Sequence, residues 1–375
     1  MALQDLVNKI NKEFGGDTAF VGKLPPKERI PFSSPYLNHI TYGGICYGAS
    51  SEFVGAESSG KSTLVQDVIA NFQKIEKKRY EDRKAEIEAK LPTSKGKDYT
   101  SLMEELAGLV ERKTVFLDLE YTLDGDWMEK LGVDSDKVII LQPTAMGIEE
   151  PLNWIVEFAS TSEIGLIAID SVGSMISGAE EEKGIEERTY GGISMPLTRF
   201  YKKVTPYLKK NNIALIMVNQ IRDDLVNQYN KFHRPGGRMH KFAQSLTLGL
   251  SMGERLDEKY ASAPSTSEVV FARLTNVFVI KNKTAPPDRQ RGTFCISYNH
   301  GVDDVYDTFG MACDVGLISA NGAYYSFMDD NGELINKVQG KIKAINYLRE
   351  NPDLYQKLWK QLYDMSTQKQ EEDDE

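Results

Sequence analysis

Cysteine is scarce in this chain, with only Cys46, Cys295 and Cys313 among 375 residues. Three scattered cysteines cannot build a disulfide framework. They form no C-x-x-C pair, which argues against a structural zinc site. A reducing, intracellular compartment is the default expectation. Long apolar runs are also missing. No stretch approaches membrane-spanning length, and no signal peptide is visible at Met1-Ala2-Leu3-Gln4-Asp5. There is no internal repeat. Net positive charge is lacking too, since the formal charge is −10. Over the whole chain this argues against nucleic acid. Exposed charges more than about 8 Å apart are largely screened at physiological salt, however, so a local basic loop can still bind phosphate. What remains is 41% hydrophobic and 27% charged, ordinary for a soluble globular protein with one large domain and one or two small ones.

Against these absences stands Gly55-Ala56-Glu57-Ser58-Ser59-Gly60-Lys61-Ser62, which fits the phosphate-loop pattern G-x-x-x-x-G-K-[ST] at every defined position. The two glycines let successive backbone N–H groups turn inward on a phosphate. Lys61 brings a fixed positive charge to the β- and γ-phosphates, and Ser62 offers a hydroxyl to Mg²⁺. Ser51–Val54 reads as the strand before the loop. Thr63–Phe72 reads as the helix after it, with Leu64, Val65, Val68, Ile69 and Phe72 at helical spacing. The helix N-terminus adds its own attraction for the anion.

Elsewhere apolar runs alternate with helical segments. Strands are expected at Val115–Asp118, Val138–Leu141, Leu166–Asp170 and Ala214–Asn219, giving a mostly parallel sheet covered on both faces. Residues 268–281 and 292–297 read as antiparallel extensions. Leu3, Leu6, Val7, Ile10 and Phe14 put an apolar stripe on a short N-terminal helix, stopped by Gly15-Gly16 and followed by a lone strand at Thr18–Val21. These two elements must dock on a core, their own or a neighbour's. Residues 74–113 form a charged insertion read as a surface helical hairpin, most simply a solvated face. The chain thus divides into 1–34 (helix-and-strand arm), 35–301 (core) and 302–375 (small α/β domain). The last is expected to hold a strand at 322–327 and helices at 342–348 and 354–359, and it ends in the acidic tail Glu371–Glu375.

Asp170, at the carboxyl end of a buried strand, is positioned to hold Mg²⁺, where the plain alternative is a helix cap. Glu120, just past another strand end, suits a group that polarises an attacking water, and Gln220 a γ-phosphate sensor. Each is a weak signal taken alone. Lys281 and Lys283 share one face of a strand and read most simply as a guarded edge. Two aperiodic, glycine-containing stretches, 177–193 and 222–239, follow the later strands. The second interleaves Arg222, Lys231, His233, Arg234 and Arg238 with Tyr229 and Phe232, before Gly236-Gly237. Cations for phosphates and apolar groups against bases are what a single-strand binding loop needs.

The ordered set G-A-E-S-S-G-K-S, F-L-D-L-E-Y-T-L-D, L-I-A-I-D-S-V, N-Q-I-R, G-G-R-M-H-K-F and K-N-K-T-A-P resembles the bacterial RecA recombinases over nearly the whole chain. The short N-terminus and the 74–113 insertion are unlike typical bacterial members and point to a phage-encoded one. The resemblance implies a RecA-type phosphate-loop ATPase core and the following roles. Gly55, Glu57, Ser58, Ser59, Gly60, Lys61, Ser62 and Thr63 would hold ATP, with Mg²⁺ on Ser62 and Asp170. Glu120 would activate water, and Gln220 would sense the γ-phosphate, with Lys61 completing the catalytic set. Asp124 would contact the adenine, and Trp127 stands where a stacking tyrosine is usual; an indole stacks as well. Lys281 and Lys283 would reach ATP on the adjacent subunit, with Lys241 and Phe242 at the same interface. Arg188, Tyr190 and Arg199 would meet DNA from the first loop. Arg222, Leu225, Arg234, Gly236, Gly237 and Arg238 would do so from the second, which is one residue shorter than expected for the family. The arm would dock on the neighbouring core.

The expected function is therefore an ATP-dependent homologous recombinase, working as a helical filament on single-stranded DNA and pairing it with a duplex. Its setting would be the cytoplasm of a bacterial or phage-infected cell, with no membrane contact and room for mediator proteins. A hexameric RecA-fold motor or helicase is the alternative. A non-catalytic ATP-binding regulator, the third reading, would have no need of Glu120 and Gln220 together.

Overall fold

The apolar runs fold into a nine-stranded sheet. Across it the order is Gly301–Val302, Arg291–Ser297, Ala272–Asn282, Leu246–Leu256, Ser50–Gly55, Ala214–Gln220, Ile164–Asp170, Lys113–Asp118 and Val138–Leu141. Pairing is parallel from Leu246–Leu256 to Val138–Leu141 and antiparallel in the remaining strands. The computed structural model describes residues 3–14, 19, 26–183, 192–223, 232–264, 266, 267, 269–329 and 331–368.

Side-chain alternation explains why the sheet is covered twice. Phe116, Leu166, Ala168, Ala214, Ile216 and Val218 point to one core, filled by Leu64, Val65, Val68, Ile69 and Phe72 of the helix after the phosphate loop. Val115, Leu117, Ile167, Ile169, Leu215 and Met217 point to the other, against helices Glu149–Ser160 and Ser194–Lys210. Leu246–Leu256, not anticipated as a strand, joins the parallel run to the antiparallel one. Its first five residues are buried and the rest alternate, as befits a strand leaving the core.

The helix expected to end at Phe72 runs on as a single 30-residue helix, Lys61–Lys90. It has no break because 73–90 holds no proline or glycine, and helix-forming residues dominate there. Lys97–Gly108 folds back on it, and Arg83 bridges the pair to Glu105. The base is firmer. Buried Glu76 accepts from Arg112 Nε (2.8 Å) and Nη2 (2.6 Å), and Arg112 Nη1 donates to the carbonyls of Asn211 and Asn212.

At the N-terminus, helix Leu3–Phe14 keeps Leu3 and Leu6 exposed. Asn11 and Ala19 exchange two hydrogen bonds. The glycine stop and, Ala19 apart, the expected strand at 18–21 lie outside the described residues, as does the acidic tail. The C-terminal segment carries a three-stranded antiparallel sheet and helices Asp304–Asp314, Lys341–Glu350 and Pro352–Thr367. Its core includes Leu256, Ala272 and Cys295 from the large sheet, so the two parts share one apolar cluster. Trp359 Nε1 donates to the Ser33 carbonyl across the same junction. Among the described residues no helix is long and apolar enough to cross a membrane.

Candidate nucleotide site and adjoining hairpin

The phosphate loop joins the carboxyl end of a central strand to a long helix. Ser58 and Gly60 have positive φ, 57° and 87°, the kind of local conformation in which successive N–H groups can face an anion. At Gly60 that φ disfavours any other residue, and a Cβ there would also displace the end of the Ile296 side chain, 2.4 Å away. Ser59 Oγ donates to the Ala56 carbonyl, closing the loop on itself. Lys61 Nζ, nearly buried, donates to the carbonyls of Gly55 (3.1 Å) and Ala56 (2.7 Å). Burial lowers its pKa, against the pull of Asp170, Glu120 and Glu57. Thr63 follows in the first helical turn.

Ser62 Oγ donates to Asp170 Oδ2 at 2.7 Å. Burial raises the Asp170 pKa to about 6, with Glu120 adding to the rise and the Ser62 bond opposing it. A hydroxyl and a carboxylate in contact beside a phosphate loop form a hard-oxygen pair, which suits Mg²⁺.

Glu120 and Gln220, a hundred residues apart, meet here. Gln220 Nε2 donates to Glu120 Oε1 at 3.1 Å, and Ser171 Oγ donates to the same oxygen at 2.6 Å. The loop bearing Glu120 is set by buried Asp118. Its carboxylate accepts from Glu120 N, Leu123 N and Gln142 Nε2. Sequence reasoning missed the parts played by Asp118 and Ser171, although Asp118 lies two residues before Glu120 and Ser171 directly follows Asp170. Asp124 caps helix Gly125–Lys130, accepting from Trp127 N at 2.8 Å, which fixes the half-buried indole beside it.

The two lysines meet the two residues assigned to the same interface. Lys281 Nζ donates to the carbonyls of Lys241 (2.5 Å) and Phe242 (3.3 Å), and Lys283 Nζ to that of Phe242 (2.8 Å). Partial burial and then the neighbouring Lys283 lower Lys281 to about 8. Phe242 itself is 68% exposed.

The basic stretch begins as a ribbon, with Arg222-Asp223 pairing antiparallel to Phe232-His233. Its tip, with Leu225, lies outside the described residues, as do Arg188 and Tyr190. Arg199 and Arg238 are exposed on helices Ser194–Lys210 and Gly237–Ala243. Arg234 lies elsewhere than on an open surface, since its Nη1 donates to Glu52 Oε2 at 2.9 Å. Glu52, fully buried on the strand before the phosphate loop, was not foreseen. A lone acid inside a short strand reads as noise until its partners are known.

The family model for the RecA N-terminal domain matches residues 83–303. Protein RecA of Thermus aquaticus is 30% identical over 364 residues, covering 95% of this chain and 92% of the relative. Protein RecA of Thermus thermophilus is 30% identical over 374 residues, covering 98% and 95%. Among solved structures, the crystal structure of the RadB recombinase matches 71% of this chain and 95% of its own, with TM-score 0.46 and 16% identity.

Proposed function

This chain belongs to the RecA family of DNA recombinases, and on that premise we propose how it couples ATP to DNA. The protein is an ATP-dependent homologous recombinase and a DNA-dependent ATPase. The ring-motor alternative is not favoured, because its relatives along nearly their whole length are recombinases.

The observation that carries the coupling is the Gln220–Glu120 contact at 3.1 Å, because Gln220 also begins the segment leading into the ribbon. ATP would sit with its phosphates in the loop 55–62, its γ-phosphate near Lys61 and Gln220, and its adenine against Asp124 and Trp127. Ser62 and Asp170 would hold Mg²⁺, which when bound neutralises charge on the β- and γ-phosphates. Glu120, oriented by Ser171, accepts the proton of the attacking water. A γ-phosphate that draws Gln220 Nε2 away from Glu120 moves the foot of the ribbon, and with it the DNA-facing loop.

The patch Lys241, Phe242, Lys281 and Lys283 would complete the site of the adjacent subunit in a helical filament. Helix Leu3–Phe14, with Leu3 and Leu6 outward, is the arm that links subunits. The filament would hold single-stranded DNA through Arg199, Arg238 and the loop tips, contacting mainly backbone, while base pairing supplies sequence specificity. A bacterial or phage-infected cytoplasm is the setting that fits this substrate. The test is ATP hydrolysis with and without single-stranded DNA at matched salt. Strong stimulation is expected. ATP binding without stimulation would remove the coupling.

A further inference from the structure

Glu52 is the centre of a buried polar network that the recombinase reading does not use. Its Oε1 accepts from Asn219 Nδ2 (2.9 Å) and His240 Nε2 (2.9 Å). Its Oε2 accepts from Arg234 Nη1 (2.9 Å) and Thr247 Oγ1 (3.4 Å). Burial alone would raise its pKa. The bond from His240 and its charge interaction, then the charge of Arg234 and the bond from Asn219, more than reverse this and hold it below the ordinary carboxylate value. The network continues through further buried groups. Ser50 Oγ donates to Gln244 Oε1 and Gln244 Nε2 to the Tyr201 hydroxyl, which lies 2.8 Å from His240 Nδ1 and 2.6 Å from Met217 Sδ.

The partners of Glu52 sit at three points around the site. Asn219 immediately precedes Gln220, and its Oδ1 accepts from the Gln220 N–H. Its Nδ2 also donates to the Pro235 carbonyl at 3.1 Å. Arg234 directly follows the second strand of the ribbon. The carboxylate therefore holds both feet of the ribbon at once. His240 lies in helix Gly237–Ala243, whose last carbonyls receive Lys281 and Lys283. Gly236 is pressed onto this imidazole, since a Cβ there would meet His240 Cγ at 2.8 Å.

We propose that Glu52 is a positioning residue that couples the γ-phosphate sensor Gln220 to both feet of the DNA-facing ribbon and, through His240, to the helix that meets the next subunit. It touches no reacting atom. Its rigid attachment converts a shift at Gln220 into a shift of ribbon and helix together. The inference rests on the recombinase reading above.

The experiment measures kcat and KM for ATP with and without saturating single-stranded DNA, together with nucleotide affinity, in wild type and three variants. Glu52→Gln places a donor where Arg234 or His240 donates. It is expected to keep nucleotide affinity within about twofold while DNA stimulation falls about tenfold or more, within the usual range of coupling between sites. His240→Gln retains a donor for Glu52 and an acceptor for Tyr201, and should keep most of the stimulation. His240→Leu should lose it. Full stimulation in Glu52→Gln overturns the proposal. Equal stimulation in His240→Gln and His240→Leu does so even if Glu52→Gln fails to fold. Absence of DNA stimulation in wild type overturns the functional reading instead, so the two failures are distinguishable.

Discussion

Glu120→Gln isolates the chemical step. In the structure both described bonds to this side chain under 3.5 Å fall on Oε1, from Ser171 Oγ (2.6 Å) and Gln220 Nε2 (3.1 Å). A glutamine of the same length keeps a carbonyl oxygen there, so both bonds and the loop geometry persist. What it loses is the capacity to take a proton from water. General-base catalysis is worth about 10²- to 10⁴-fold in rate, equivalent to about 2.7–5.4 kcal/mol at about 1.36 kcal/mol per decade. On the proposed reading the loop 55–62 holds ATP and Glu120 does not, so its affinity should stay within about twofold. Steady-state hydrolysis with saturating single-stranded DNA gives kcat, and titration with a fluorescent ATP analogue gives affinity. A kcat within about threefold of wild type would show that Glu120 does not activate the water. A parallel collapse of affinity would show that the residue supports the loop instead.

Other outcomes follow from single contacts. Lys61→Ala removes a charged donor and should weaken ATP binding by about 1.5–3 kcal/mol while the protein still unfolds cooperatively; an unaltered Kd would rule out its phosphate role. Phe242→Asp charges an exposed ring, so monomer stability should change by no more than about 0.5 kcal/mol, while filaments vanish from negative-stain images of the DNA complex; filaments of normal length would exclude this patch as the interface. Asp67 is buried, and its pKa is raised from 3.8 to about 6 by burial, against the opposing bond from Ser33 N. The neutral carboxyl therefore contributes stability in full below pH 3.8, and this is lost as pH rises through about 6. Asp67→Asn stays neutral and can still accept from Ser33 N, so urea unfolding should show a gain of roughly 3 kcal/mol at pH 7 that disappears near about pH 4; no gain at pH 7 would contradict the burial argument.

How much of this was legible in the sequence depends on whether a residue's meaning is local. Gly60, Lys61 and Ser62 are read in one short segment, because a strand, a turn and a helix dictate their geometry wherever they occur. The apolar runs were legible for the same reason, and the central parallel strands lie where hydrophobic density put them. Leu246–Leu256 escaped because only its first half is buried, and the exposed second half reads as polar noise. The 30-residue helix reads as shorter because its continuous buried face ends near Glu76, with Ile87 alone buried beyond it, while the backbone needs no further burial to continue through helix-forming residues.

Glu120 and Gln220 are a different case. Each was an unremarkable strand-end polar residue until the sheet order set the strands bearing Asp118, Asp170 and Gln220 side by side, which no local spacing encodes. Glu52 is the extreme of that case. A carboxylate inside a central strand is tolerable only if several donors converge on it, since an uncompensated buried charge costs several kcal/mol. Its donors come from positions 219, 234, 240 and 247, and two of them, Arg234 and His240, lie in or just beyond a stretch that composition alone marks as a DNA loop. An ionisable residue at a buried strand position is thus itself a long-range signal. It states that compensating groups must arrive from elsewhere in the chain. Here they arrive from the segments that would have to move when ATP and DNA are bound.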